Sequence, residues 1–371
     1  QISALVSYIT EARSQRRVYE YDIERYLNVR SAFGAGFRAD GTLQFRMNTT
    51  GTPQLWTMKE AGGWPTQRTF YDERITFSSP SPERPETIFG MDEGGDERQQ
   101  LFRLDDAGRI TPLTPIDAKH RWGGWSHDGD RFAFASNRRE QSVFDIYVQE
   151  RDAEDAELLL EGDGWLSVAG WSPDDSRLLI HEARSNFDTD VYVLDIASGE
   201  LTPLTDDTDE VRYKSLSWGP DGDAIYCCSD QDSDTLSLVR LDSETGALTT
   251  VEDGGEWNVD GVAIDDETGR IVYSENVDGY TELTVGDLAG ATEIQPRPTP
   301  KIPSGVAGGV AFDDGAERFA VTVTADTVNA NVYVVDVETG AAERWTSAPT
   351  AGIPESTFVE SEPIRYGSFD D

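Results

Sequence analysis

Only three histidines occur in the chain, His120, His127 and His181, and no two are spaced as a metal-ligand pair. Each is expected to be a structural or surface side chain. A serine nucleophile on a strand-to-helix elbow needs Gly-x-Ser-x-Gly, and the sequence has none. Ser126 and Ser172 each follow Gly-Trp, but Asp128 and Asp174 stand where the second glycine belongs. Asp230-x-Asp232-x-Asp234 opens like a calcium loop. Thr235 then replaces the turn glycine and Leu241 the bidentate glutamate, so a solvated loop is expected. The same holds for Asp206-Asp207-Thr208-Asp209-Glu210. The stretch Gly305 to Gly309 has no lysine and no following helix, so it is no phosphate loop. It is expected to let a strand pack closely. No catalytic residue, no cofactor and no metal site is therefore expected in this chain.

The informative chemistry is cationic. Lys119 and Arg212 lie six residues before a tryptophan, and Arg121 and Lys214 lie four before the same tryptophans, Trp125 and Trp218. Even offsets place such residues on one face of equivalent strands. Arg74 lies close to a similar aromatic position, Phe77. The ordinary alternative is local pairing with the abundant carboxylates.

Those tryptophans belong to a repeat. Trp125-Ser126-His127-Asp128-Gly129, Trp171-Ser172-Pro173-Asp174-Asp175 and Trp218-Gly219-Pro220-Asp221-Gly222 are its clearest copies, and weaker ones start at Phe37, Phe77, Ile264 and Phe312. The intervals are 40, 48, 46, 47, 46 and 48 residues. A period in the forties with strand-like content marks a β-propeller, one blade per repeat. Within the fourth copy, four short β-branched or aromatic runs are separated by turn residues: Leu166 to Trp171, Arg177 to Ile180, Asp190 to Asp195 and Glu200 to Leu204. This predicts a four-stranded antiparallel meander. The aromatic before each turn is expected to end the innermost strand and fill the wedge between blades. The third run returns as Asp145-Ile146-Tyr147-Val148, Asp190-Val191-Tyr192-Val193 and Asn331-Val332-Tyr333-Val334. The expected fold is all-β, a seven-bladed propeller with TolB- or WD40-like blades over residues 33–347. Its last blade supplies all four of its own strands, so no N-terminal strand latch is expected.

Seventy acidic residues oppose 31 basic ones, a net charge of −39. Only four of the basic residues are lysine: Lys59, Lys119, Lys214 and Lys301. Such an excess repels itself at low ionic strength and is screened at molar salt, where the Debye length is about 3 Å. The composition resembles proteins of extreme halophiles, which implies a high-salt cytoplasm. It argues against nucleic acid and anionic membranes as partners. No apolar stretch approaches 18 residues. Cys227 and Cys228 are adjacent on a predicted strand, point to opposite faces, and are expected to be reduced and partly buried.

Both ends lie outside the repeat. In residues 1–32, Ile2, Leu5, Val6 and Ile9, then Tyr19, Ile23, Tyr26 and Leu27, recur at helical spacing, predicting two short helices or a helix and a helical turn. The first residues lack a signal-peptide core, and the absence of an initial Met suits a piece of a longer protein. In residues 348–371, Ile364 and Tyr366 alternate with polar residues like the start of a strand.

The chain resembles the propeller region of a prolyl oligopeptidase-family serine peptidase, of the acylaminoacyl-peptidase or dipeptidyl-peptidase kind. The resemblance rests on Tyr21-Asp22-Ile23-Glu24-Arg25-Tyr26-Leu27-Asn28-Val29-Arg30, on the Trp-Ser-Pro-Asp-Gly-type blades, and on the ending Pro363 to Asp371. It implies that the tail leads toward an α/β-hydrolase domain of the same parent chain, which would supply the triad, and that the substrates are peptides. The propeller would then be the non-catalytic, substrate-gating half. Lys119, Arg121, Arg212 and Lys214 would form a positive ring steering acidic peptides or C-terminal carboxylates. Two rivals remain: a stand-alone TolB-like propeller acting as a protein-binding scaffold, and a propeller enzyme such as a lactonase with a metal in its channel. Asp260 is one inner-strand candidate for the latter, but a lone carboxylate is not a site.

Overall fold

In the computed structural model, residues 21–205, 210–365 and 367 are described. They form seven four-stranded antiparallel sheets, each built from four consecutive strands, blade seven included. The innermost strands are Ala32–Phe37, Ile75–Pro80, His120–Trp125, Leu166–Trp171, Tyr213–Trp218, Val259–Asp265 and Val306–Phe312. Among the described residues no strand is exchanged between the two ends. The ring closes where Ala32, Phe45 and Met47 of blade one meet Val332, Val334 and Trp345 of blade seven. The first predicted helix falls outside the described residues. The second is a single turn, Ile23–Tyr26.

The burial pattern follows from blades packed on both faces. Second strands are close to continuously apolar: Arg131–Ser136 is buried at all but its first residue and Ala224–Ser229 throughout. Outermost strands are more open, and Leu248–Glu252 turns three of its five residues to water. Cys227 packs between blades four and five and Cys228 between five and six, which confirms their opposite faces. Both are fully buried rather than partly so. Burial pushes both thiols up, Cys228 to about 12, so neither is a nucleophile at neutral pH.

Every innermost strand carries a register irregularity against its neighbour. A bulge bends a strand and adds twist, which suits strands grouped around an axis. At Gly34, Ser215 and Gly309, each three residues before its anchor, the bulge takes a positive φ. Gly305 alone in its stretch meets the close packing expected of it, since a Cβ there would lie 2.3 Å from the Thr324 carbonyl oxygen.

The anchors do as predicted in blades three to five. Trp125 donates its indole N–H to the Ser79 carbonyl and Trp171 to that of Gly124, each in the preceding blade. Arginines lock the turns from the other side. Arg131 and Arg177 lie over Trp171 and Trp218 and donate to the carbonyls of Asp175 and Gly222. Arg38, Arg84 and Arg270 likewise donate to the next blade's turn, at the carbonyls of Pro85, Gly129 and Ala316, without stacking on a ring among the described residues. A planar guanidinium can stack and donate at once, which an ammonium cannot. Blade two corrects the repeat reading. Ser81 N–H bonds the Glu86 carbonyl as Ser126 N–H bonds that of Arg131, so Pro80 and not Phe77 holds the anchor position. Phe77 sits three residues earlier and stacks on Trp122 of blade three, centroids 5.8 Å apart.

Candidate functional site

Antiparallel meanders put the start of each innermost strand, the link from second to third strand and the end of the outermost strand on one face. The chain reaches blade one at Ala32 and leaves blade seven at Arg344, so both ends emerge there. They are tied together. Arg30 N–H donates to the Pro349 carbonyl, and the Asn329 amide donates to both Arg30 and Ala348 carbonyls. The tail then crosses the second-to-third turns of blades seven and six. Ser361 N–H bonds Asp326 at 2.9 Å and Arg365 pairs with Asp278 at 2.6 Å. Ile364 is not in a strand, and Tyr366 lies outside the described residues.

The repeated third-strand acid organises this face, a role that periodicity alone does not assign. Asp145 is buried and accepts Gly162 N–H at 2.9 Å, Asp190 accepts the Thr205 hydroxyl, and Asn331 accepts Ala348 N–H at 2.8 Å. Each holds the chain as it leaves an outermost strand. Arg139 and Arg184 neutralise the two aspartates.

The four predicted cations occupy equivalent positions in two blades. Lys119 N–H bonds the Asn137 side chain as Arg212 N–H bonds that of Asp230, both at 2.8 Å. Arg121 and Lys214 are second in their strands, opposite Ala135 and Cys228. Their partners differ. Lys119 pairs with Glu97 at 3.0 Å, Arg212 with Asp230 at 2.6 Å and Lys214 with Asp260 at 3.1 Å. Arg121 lies instead against two adjoining rings, 4.3 Å from the Phe144 centroid and 4.8 Å from that of Trp165. Arg74 stands 3.5 Å from the buried Asp92. Exposed apolar side chains gather on the same face: Phe70, Ile116, Trp165, Phe187 and Val306.

The histidines separate. His120 is buried, its Nδ1 bonds the Gln99 carbonyl at 2.9 Å, and burial holds it down at about 4. His181 bonds the Tyr213 carbonyl through Nε2 and is likewise lowered, mainly by burial. His127 is the opposite case. From the turn of blade three it bonds Asp175 of blade four at 2.7 Å and Asp266 of blade six at 2.9 Å. Blades three and six stand across the ring, so this clasp spans the axis at the turn face. Hydrogen bonding to Asp266 first, then to Asp175, raises His127 to about 9 against the opposing effect of burial.

Asp230, Asp232 and Asp234 line an open hollow of about 850 Å3 between blades four and five, together with Glu210 and Tyr213. A smaller cavity, about 380 Å3, lies beside the axis along Ser215, Asp260 and Gly308. Among the described residues no three His, Cys, Asp or Glu side chains are grouped to hold a metal ion. None of the described helices is long and apolar enough to cross a membrane.

With this geometry in hand, the chain can be set beside known proteins. It is 26% identical over 196 residues to dipeptidyl aminopeptidase BIII of Pseudoxanthomonas mexicana, a match spanning 51% of this chain and 28% of that protein. It superposes with a TM-score of 0.70 and 17% identity on a structure from a study of two prolyl endopeptidases and the role of inter-domain dynamics in their catalysis and specificity. That superposition covers 92% of this chain and 54% of the other. The chain resembles the propeller region of a prolyl oligopeptidase-family peptidase. No family model matches it. The matched stretch therefore spans about a quarter of the curated relative, and the superposed part of the chain about half of the solved one.

Proposed function

We propose that this chain is the non-catalytic, substrate-selecting propeller of a halophilic serine oligopeptidase or aminopeptidase. Its partner in this reading is an α/β-hydrolase domain of the same parent chain, its substrates are peptides, and its setting is a high-salt cytoplasm. One observation carries the reading: both chain ends, the exposed apolar side chains and the four cations share one face. A domain joined through Asp371 would meet that face first. The His127 clasp at the opposite end of the axis adds to this, because it favours approach of peptides from the domain-facing side. Lys119, Arg121, Arg212 and Lys214 would act there as the substrate-steering set. In this reading the triad belongs to the hydrolase domain, so the isolated chain should not hydrolyse peptides.

The test is the gene beyond the codon for Asp371. A further domain carrying Gly-x-Ser-x-Gly, then Asp, then His, supports the proposal. An immediate stop codon overturns it and leaves the stand-alone binding scaffold, whose signature is stable protein partners recovered in molar salt.

A further inference from the structure

Three of the four face cations are neutralised by Glu97, Asp230 and Asp260. Arg121 is different. Among the described residues its side chain makes no hydrogen bond and no ion pair, although the chain holds 70 acidic residues. None of its nitrogens is both buried and unbonded, so its unused donors face solvent. Burial alone lowers its basicity, and no neighbouring carboxylate raises it again. The guanidinium is nevertheless held in place. It lies over two adjacent rings, Phe144, 1% exposed, and Trp165, 49% exposed, which meet edge to face at 5.7 Å. Contact with two aromatic rings restrains a cation without using any of its five donors. An arginine so fixed presents a fork that matches a carboxylate in two parallel hydrogen bonds.

We infer that Arg121 is an anchoring residue for one carboxylate of a bound peptide, with half-exposed Trp165 forming the apolar wall beside it. This rests on the peptide-selecting reading above and narrows it from a diffuse ring to a single charge. Lys214, in the equivalent place two blades on, is already satisfied by Asp260 and does not serve. A carboxylate can come from a peptide C-terminus or from an Asp or Glu side chain. Both present the same planar group, and the experiment separates them.

Three short acetylated alanine peptides are titrated into the chain in molar KCl by calorimetry. One ends in a free carboxylate, one in an amide, and one in an amide with a single internal Glu. Either carboxylate peptide should bind about tenfold or more tightly than the plain amide, the value expected for a charge-assisted pair. Whichever carboxylate arm shows the gain names the source. Arg121→Met should abolish the preference, and Arg121→Lys should keep part of it. Equal binding of acid and amide to the unaltered chain overturns the inference without needing any variant, and so does an unchanged preference in Arg121→Met. Peptide binding without preference sinks Arg121 as the anchor but leaves a peptide-selecting propeller standing. Binding of none of the three sinks the anchor, while the gene beyond Asp371 still decides the parent enzyme.

Discussion

At the scale of single residues, positive charge in this chain is scarce and is used locally. Arginine is kept where one group must stack on a ring and donate to a carbonyl, as Arg177 does at Trp218 and Gly222. His127 shows the same economy with a titratable group. Its pKa in the fold, about 9, lies above the ordinary value near 6.5. The clasp therefore stabilises fully below about pH 6.5 and is lost as pH rises through about 9. The charged groups facing it are Asp175 and Asp266, with Arg131 donating to the Asp175 backbone. The thermal midpoint of the unaltered chain should exceed that of His127→Gln at pH 6, and the gap should close by pH 10. A gap that widens with pH contradicts the assignment. None of this was legible in sequence, because Asp266 lies 139 residues from His127. The positions of Lys119, Arg121, Arg212 and Lys214 were legible. Their partners were not, since Glu97 is 22 residues from Lys119 and Asp260 is 46 from Lys214.

At the scale of strands and turns, the bulges of the innermost strands give a sharp test. Three glycines of blade seven separate three physical causes. Gly308 has ordinary backbone and open space for a Cβ. Ala there should be neutral or stabilise by up to about 1 kcal/mol through the unfolded chain. Gly309 has equal space but φ +70°, so Ala should cost about 1–2 kcal/mol. Gly305 faces the Thr324 carbonyl at 2.3 Å, so Ala should cost more than at either neighbour. Urea unfolding of the three variants in molar KCl gives the order directly, and equal losses contradict the bulge account. The blade repeat was plain wherever a tryptophan marked the turn. It slipped in blade two because Pro80 fills the anchor position and Phe77, which resembles an anchor, stacks on Trp122 instead. An aromatic near a turn reports burial, and only the pairing register says which position it fills.

At the scale of the whole molecule, a ring of seven similar sheets closes without a shared strand, by apolar packing and a few hydrogen bonds between blades one and seven. The closing interface should behave like a core. Trp345→Ala, buried between blades seven and one, should cost about 3–5 kcal/mol. If Trp345→Ala leaves the unfolding midpoint in denaturant unchanged, closure by packing is wrong. The net charge of −39 acts over the same distances. Raising KCl from about 0.1 M to about 1 M shortens the screening length from about 10 to 3 Å, so the thermal midpoint should climb over that range. A flat or falling curve removes the support for a halophilic setting.

We propose that this propeller selects peptides for a hydrolase joined to it on the face where both chain ends emerge. The most direct measurement is hydrolysis by the full parent chain of a peptide series of rising length, ending in a folded protein with the same cleavage sequence. The account predicts rapid cleavage of short peptides, a steep fall with size, and none of the folded substrate, while residues 1–371 alone cleave nothing. Equal cleavage of peptide and folded protein would contradict it, and so would activity in residues 1–371 alone.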